Sequence, residues 1–528
     1  MTHTESPGGQ GLRTIPERWL GVALGVAVFA AFFFNLHGFP LFDLDEGAFS
    51  EATRDMLARG DYVATYLYGE PRYDKPILIY WLQALSVSAF GLNEFALRLP
   101  SALSSTLWML ALYAFAARVT DRRTGMMAAI VGATTLEVGI IGKAAIADAL
   151  LNLLIAASLF AIYLHYQDGR RRWIYAAFAC MGLGFLTKGP VAVAIPFVTS
   201  LLFFALRGRW RDWLRAALNP AGIALFLVII VPWYLLITLR EGPGFVLGFL
   251  LEHNLGRFQE PMEGHSGPIW YYVPVLLLGM LPWTAIVLAA LWRARRQLTD
   301  DLTLFLLIWF GFVFVLFSLA GTKLPHYLLY GMTPLFLLTA AEVFRMRSAF
   351  WSALPGALFF AFMLAFPSIV VAVRSTVGDP FVAALLEDVE RHFGILWYGG
   401  FGIALAVSLW FMFERRIHMA WRMTAIGLLL AIGLSGLLLP TVAAVQQGPI
   451  RDAGLVARDR PETLVMWSLN NPSFNVYAQR VVERRSPEPG EVALTRSTRL
   501  ERLAEYEVLF ERNGVALVKV MASSATRD

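Results

Sequence analysis

Long apolar runs separated by short polar loops make up the chain from Trp19 to about Val445. Each run is roughly 17–24 residues long, and about 20 residues of helix cross the hydrocarbon core of a bilayer. Arginine clusters punctuate them: Arg122-Arg123, Arg170 to Arg172, Arg207 to Arg215, Arg293 to Arg296, Arg345 with Arg347, and Arg415-Arg416. Basic residues stay on the cytoplasmic side because translocating them is unfavourable. An even number of crossings must therefore separate one cluster from the next. Runs at 124–142 and 147–166, 173–187 and 189–206, 220–239 and 269–292, 302–319 and 325–341, and 350–373 and 395–413 supply those pairs. With spans starting at Trp19, at 97–118 and at 421–445, the pattern predicts an all-α polytopic membrane protein. It has about thirteen transmembrane helices, with the N-terminus inside and the C-terminus outside.

One apolar stretch does not fit as a crossing. Only one span can separate the exit near Phe39 from Arg122, and 97–118 already fills that role. Ile77–Phe90 is therefore expected to lie at the periplasmic membrane surface, a place that suits Tyr80 and Trp81. The resulting organisation is a cytoplasmic tail at 1–18, a transmembrane domain at 19–445 and a C-terminal domain at 446–528. The first periplasmic loop, about 38–96, carries juxtamembrane helices. The tail through Gly11 is polar and reads as disordered, and Trp19–Leu36 reads as a retained span, not a cleaved signal. After Gln446 the chain turns polar. Alternating stretches at Thr463–Leu469 and Val515–Val520 predict strands, Leu500–Tyr506 predicts a helix, and the whole reads as a small periplasmic α/β domain.

Composition supports lipid as the solvent. The 528 residues are 57% hydrophobic and only 16% charged, too few charges to solvate a soluble surface of this size. The net charge of +5 comes largely from the loop arginines, so it reports topology and implies no nucleic-acid partner. The single cysteine, Cys180, sits in an apolar run, which excludes an intrachain disulfide or a cysteine-based metal cluster.

Once the arginines fix the topology, the other charges stand out on one side. The first loop carries Asp43, Asp45, Glu46 and Glu51, then Asp74-Lys75 before Pro76. Lys143 and Asp148 bracket the next periplasmic turn, and Lys188 sits in Thr187-Lys188-Gly189-Pro190. A later loop holds Glu252, His253, Arg257, Glu260, Glu263 and His265, and Lys323 precedes His326-Tyr327. Ionisable groups at membrane depth are costly and default to a functional reading. Cations converging there suit a phosphate, and a carboxylate suits a base or a hydroxyl-binding group. Arg54, Arg59 and Arg72 read instead as the solvated face of a loop helix. A transporter for lipid-linked sugars shares the apolar content, but no inverted repeat is evident and the charges gather on one side, not at the midplane.

Phe42-Asp43-Leu44-Asp45-Glu46, Met56 to Asp61, Asp74-Lys75-Pro76, Tyr80-Trp81 and Arg98-Leu99-Pro100-Ser101-Ala102 follow one another in order. Phe185 to Pro190, Gly264-His265 with Pro268 and Tyr271-Tyr272, and Lys323 to Tyr327 continue the series. Together these blocks resemble the aminoarabinose transferase and protein O-mannosyltransferase group of GT-C glycosyltransferases. The resemblance implies a GT-C fold in a bacterial inner membrane and an active site on the periplasmic side. It further implies inverting transfer from a polyprenyl-phosphate sugar to lipid A or another envelope acceptor, with protein or polysaccharide as the alternative acceptor. It assigns Asp45 and Asp148 as the essential acids. Lys75, Arg257, Lys188 and Lys323 become the cations for the donor phosphate, and Glu46, Asp74, His326 and Tyr327 the substrate-binding residues. No cofactor is obligatory; Asp74 and His265 match positions that hold a divalent metal in members of the group. Two departures are visible. The aminoarabinose transferases carry Thr-Arg-Tyr-Ala where this chain has Gly47-Ala48-Phe49-Ser50, and Glu-Lys where it has Asp74-Lys75.

Overall fold

The computed structural model describes residues 16–249, 256, 265–387, 389–414 and 416–521. Residues 1–15 of the predicted tail, Arg415 and the loop holding Glu252, His253, Arg257, Glu260 and Glu263 lie outside the described residues. A backbone in lipid has no water to bond with, so the apolar runs become helices whose N–H and C=O groups satisfy one another. Seven described helices are long and apolar enough to cross a membrane: Glu94–Val119, Asp148–Asp168, Pro220–Glu241, Asp301–Leu319, Ala349–Arg374, Ile395–Phe413 and Met419–Gln446. Tyr272–Gly279 and Thr284–Ala294 form an eighth apolar unit, bent by 116°. Pro282, which has no amide proton, stands in the break. The chain is a multi-pass membrane protein.

The other predicted spans are shorter or broken. Glu17–Val28 continues into a π-turn at Phe29–Phe33. The run at 124–142 is cut into Arg122–Ala133 and Leu136–Ile141. Thr134 and Thr135 stand at the cut, and their hydroxyls bond back to the carbonyls of Ile130 and Val131. Arg171–Lys188 and Val191–Leu206 are separated by Gly189-Pro190. The run at 325–341 opens as a 3₁₀ turn, Pro325–Gly331, before the α-helix Thr333–Val343.

Ile77–Phe90 does form a helix, Leu78–Phe90, packed against Asp45–Arg59 and Glu94–Val119. Gln83 on its inner face is fully buried, where it accepts from Thr53 and donates to the carbonyls of Leu97 and Ala145. Between these helices a hairpin pairs Tyr66–Leu67 with Glu70–Pro71.

The C-terminal domain carries a five-stranded sheet in the order Glu483–Arg484, Leu464–Met466, Val492–Arg496, Val515–Val520, Tyr506–Arg512. The first three strands run parallel and the last two add antiparallel. The helix expected at Leu500–Tyr506 is not there. A 3₁₀ turn spans Ser497–Arg502, and Tyr506 opens a strand. The cause is the hairpin that follows: Asn513-Gly514 takes positive φ at both residues (48° and 80°), the two-residue turn that matches strand twist. On the other face of the domain, the helices Gly448–Arg458 and Ser473–Ala478 cover the sheet.

Candidate active site between the first loop and the C-terminal domain

The first loop turns two adjacent acids in opposite directions. Glu46 points inward, and its carboxylate accepts from Arg98 Nε (2.9 Å) and Nη2 (2.8 Å) and from the amides of Phe42 and Ala145. Arg98 is fully buried and also donates to the carbonyls of Leu36, Phe39 and Pro40. Burial alone would raise the Glu46 carboxyl, but Arg98 overrides it and holds the group below its ordinary range. Glu46 is thus held in a buried ion pair and does not line the cavity that Asp45 faces. Asp45, the first residue of the helix Asp45–Arg59, is exposed and makes no hydrogen bond or ion pair with a described residue.

Asp45 faces a cavity of about 740 Å³ that Arg72, Lys75, Asp148, Lys188 and His326 also line. On its far side, Lys188 donates from Nζ to Asp148 Oδ1 (2.7 Å) and to the Tyr330 hydroxyl (2.8 Å), which itself donates to Asp148 Oδ1 (2.5 Å). His326 Nε2 lies 3.8 Å from the same oxygen. Lys188 can occupy this place because it is the last residue of its helix and Gly189 follows at φ 77°. A side chain at Gly189 would also collide with the Phe249 ring. Tyr327 and Tyr330 stand three residues apart on the 3₁₀ turn, where side chains at i and i+3 eclipse, and their rings stack with centroids 6.2 Å apart.

The cavity opens into an apolar groove of about 880 Å³. The two share Asp74, Lys75, Lys188 and Tyr327, while Val191, Ala194, Phe249, Leu316 and Phe317 wall the groove. Cations at the junction of a polar chamber with an apolar channel suit an amphiphile that carries a phosphate.

Several residues lie elsewhere than expected. Lys323 turns its ammonium to the Ala320 carbonyl (2.5 Å) and lines neither the cavity nor the groove. His265 is exposed, with its carbonyl accepting the Lys323 amide. Asp74 accepts from Arg72 Nε at 3.3 Å. Among the described residues no group of three or more His, Cys, Asp or Glu could hold a metal ion. Arg257 lies outside the described residues.

Other cavity residues do not announce themselves in the sequence. Arg54 and Arg72 are not solvated: Arg54 is buried against Glu51, and Arg72 is buried in the cavity wall over the Phe49 ring. Arg72 Nη1 is buried without a hydrogen-bond partner among the described residues. Asn470 and Pro472 bring the C-terminal domain into the cavity. Asp43 fixes them there: its carboxylate accepts from Asn471 Nδ2 (3.0 Å) and from the Ser473 amide (3.0 Å) and hydroxyl (2.5 Å).

Known proteins share this arrangement of chain. Residues 74–235 match the dolichyl-phosphate-mannose-protein mannosyltransferase family. The undecaprenyl phosphate-α-4-amino-4-deoxy-L-arabinose arabinosyl transferase of Yersinia pestis (strain Pestoides F) is 31% identical over 434 residues, 79% of this chain and 76% of that protein. The chain belongs to this arabinosyl transferase family. Its Yersinia enterocolitica counterpart is 34% identical over 328 residues, 60% of this chain and 59% of that one. The crystal structure of ArnT from Cupriavidus metallidurans bound to undecaprenyl phosphate has the same fold, with a TM-score of 0.82 at 21% identity. It covers 97% of this chain and 100% of that one. The first departure from the family pattern has a local cause. A Cβ at Gly47 would overlap Asp43 Oδ1 and lie 2.7 Å from the Ser473 amide nitrogen, so this chain's seating of the C-terminal domain leaves room only for glycine.

Proposed function

We propose that this chain transfers a 4-amino-4-deoxy-L-arabinose-type sugar, with inversion, from undecaprenyl phosphate to a phosphate of lipid A. The observation that carries the reading is the pair Lys75 and Lys188 at the junction of polar cavity and apolar groove. In it the carrier's hydrocarbon lies along Phe249, Leu316 and Phe317, its phosphate meets the two cations, and the sugar projects toward Asp45 and Arg72. The anomeric C–O bond breaks with its electron pair passing to the carrier phosphate. Charge grows on that oxygen, so preorganised cations stabilise the transition state more than the ground state. Asp148 takes no proton in this scheme; it holds Lys188 in register with the aid of Tyr330.

An oxygen of the acceptor phosphate attacks the opposite face of the anomeric carbon. A phosphate needs no base, so Asp45 orients the sugar or stabilises positive charge developing at its ring; a hydroxyl acceptor would make Asp45 the base. The site then lies on the periplasmic side, and the shorter and broken helices complete about thirteen crossings.

The test uses purified protein in lipid nanodiscs with undecaprenyl phosphate-aminoarabinose and lipid A, with products read by mass spectrometry. Transfer that falls at least ~100-fold in Lys75→Gln supports the reading. Binding of undecaprenyl phosphate that is indifferent to Lys75 and Lys188 contradicts it.

A further inference from the structure

Away from the candidate active site, a second apolar groove, of about 660 Å³, runs between the helices Arg171–Lys188 and Val191–Leu206. Ile174, Phe178, Met181, Val193, Phe197 and Phe204 wall it. From Val193 to Phe204 is about 16 Å at 1.5 Å per residue, the depth of one leaflet of a ~30 Å hydrocarbon core. Phe197 is 46% exposed, and Phe178 and Met181 are half-buried, so protein does not seal the groove along its length. Its interior offers nothing to water. The Ser200 hydroxyl in its lining already accepts from Trp213 Nε1 (3.0 Å) and donates to the Phe197 carbonyl (3.0 Å).

The short helix Trp210–Ala217 roofs the end remote from Lys188, where Trp213, Ala216 and Ala217 line the groove. Trp210, Leu214 and, just past its end, Leu218 are exposed on the same apolar side, while Arg211, Asp212 and Arg215 stand on the other. A helix divided in this way lies in the headgroup plane with its apolar side toward the acyl chains. Arg209 fastens it to the end of Asp148–Asp168, stacking over the Tyr166 ring (4.4 Å) and donating to the Tyr166 carbonyl (3.0 Å). The stretches 168–172 and 207–215 hold seven arginines and two aspartates. Both acids are already shared: Asp168 by Arg118 (3.3 Å) and Arg170 (3.6 Å), Asp212 by Arg209 (2.9 Å) and Arg215 (3.7 Å). Arg171 lies one turn before Ile174 on the face that lines the groove, and it has no ion pair among the described residues.

We infer that this groove holds one acyl chain of an anionic phospholipid from the leaflet remote from Lys188, the cytoplasmic leaflet of the proposed topology. The chain lies along Met181 and Phe197, and the phosphate sits in the headgroup plane at Arg171 and Arg215. Basic pockets between membrane helices on that side are where anionic headgroups bind, and the surplus of arginine selects such a lipid over an uncharged one. The helices that form the groove are the two that meet at Lys188, and Val191 and Ala194 of the second also wall the groove headed by Lys75 and Lys188. A chain in the gap thus braces, from the opposite leaflet, the helix pair that carries Lys188.

Full-length protein in an uncharged detergent is titrated with phosphatidylglycerol and with phosphatidylcholine of the same acyl chains, and bound lipid is counted by native mass spectrometry. Wild type should take one phosphatidylglycerol in preference to phosphatidylcholine. Arg171→Gln combined with Arg215→Gln should weaken phosphatidylglycerol binding ~30-fold, at ~5-fold for each arginine, and leave phosphatidylcholine unaffected. Arg345→Gln combined with Arg347→Gln, two exposed arginines of another turn, should change neither. A single symmetric peak in size exclusion reports that both double variants are folded. Phosphatidylglycerol with a diazirine near the end of one chain should crosslink within residues 174–217. Equal wild-type affinity for the two lipids overturns the anionic headgroup. Equal losses in the two double variants reduce the effect to general surface charge and overturn the site, as do crosslinks confined elsewhere. A dimer that takes up no lipid on this face assigns the groove to a second copy and overturns the lipid.

Discussion

Lys188 and Asp148 are joined at 2.7 Å across two different helices, and the Tyr330 hydroxyl closes the triangle with both. The pair sets the position of one of the two lysines, Lys75 and Lys188, that face cavity and groove alike. A cation held by a carboxylate is worth more to a reaction than a mobile one, since its place is fixed before charge develops. Residues acting as a unit are non-additive. Asp148→Asn and Lys188→Gln should each lower transfer roughly 100-fold, with the double variant little worse than either single one. Steady-state rates on the four proteins check this, and full additivity would separate the two residues.

The Arg98–Glu46 pair predicts a structural phenotype. Both side chains are buried, and removing one partner leaves the other charged and unpaired, at a cost of about 3–5 kcal/mol. Glu46→Gln should therefore lower the thermal stability of the purified protein, read by size-exclusion after heating. The fraction that remains folded should still bind undecaprenyl phosphate.

Gly47 predicts a tolerance limit. Even one methyl group meets Asp43 and the backbone of Ser473, so Gly47→Ala should push the C-terminal domain off the first loop. Hydrogen exchange in residues 469–479 should rise, and Ala48→Gly one position on should leave it unchanged. Equal protection in Gly47→Ala would show that the junction yields more easily than its geometry implies.

The same junction responds to pH. Burial pushes the Asp43 carboxyl from 3.8 up to about 6, and the Glu51 carboxyl, also near Ser473–Ala478, from 4.5 up to about 7. Both groups hold their protons more tightly when the domain is seated. The stability they add is therefore full at low pH and is lost as pH rises through about 6 to 7. Exchange protection of 469–479 should be higher near about pH 5 than near about pH 8. Asp43→Asn should flatten that difference.

The sequence carried the membrane architecture because lipid imposes one simple demand, a run of apolar residues bounded by charge. Lys75, Lys188, Asp148, Asp45, His326 and Tyr327 were legible for the same reason: a charge or its polar neighbour beside an apolar run is conspicuous, and the structure brings all six to one cavity. What escaped came from long-range contacts. Arg72 looked solvated because nothing local says that Phe49 and Asp74 enclose it. Asn470 and Pro472 are ordinary loop residues until Asp43, more than four hundred positions earlier, fixes their place. The Leu500–Tyr506 misreading was avoidable, since Asn513-Gly514 is a strong hairpin signal. Helix breaks within the runs were less readable: nothing at Thr134-Thr135 or Ser435 forbids a continuous helix.

In the proposed reaction Asp45 stands where sugar passes from carrier to lipid A. Mass spectrometry of lipid A and of polyprenyl-phosphate sugars tests this most directly, in cells with the gene, without it, and with Asp45→Asn at normal protein level. An aminopentose should be lost from lipid A in both altered strains while the carrier-linked sugar accumulates. Lipid A and carrier pools identical in all three strains would contradict it.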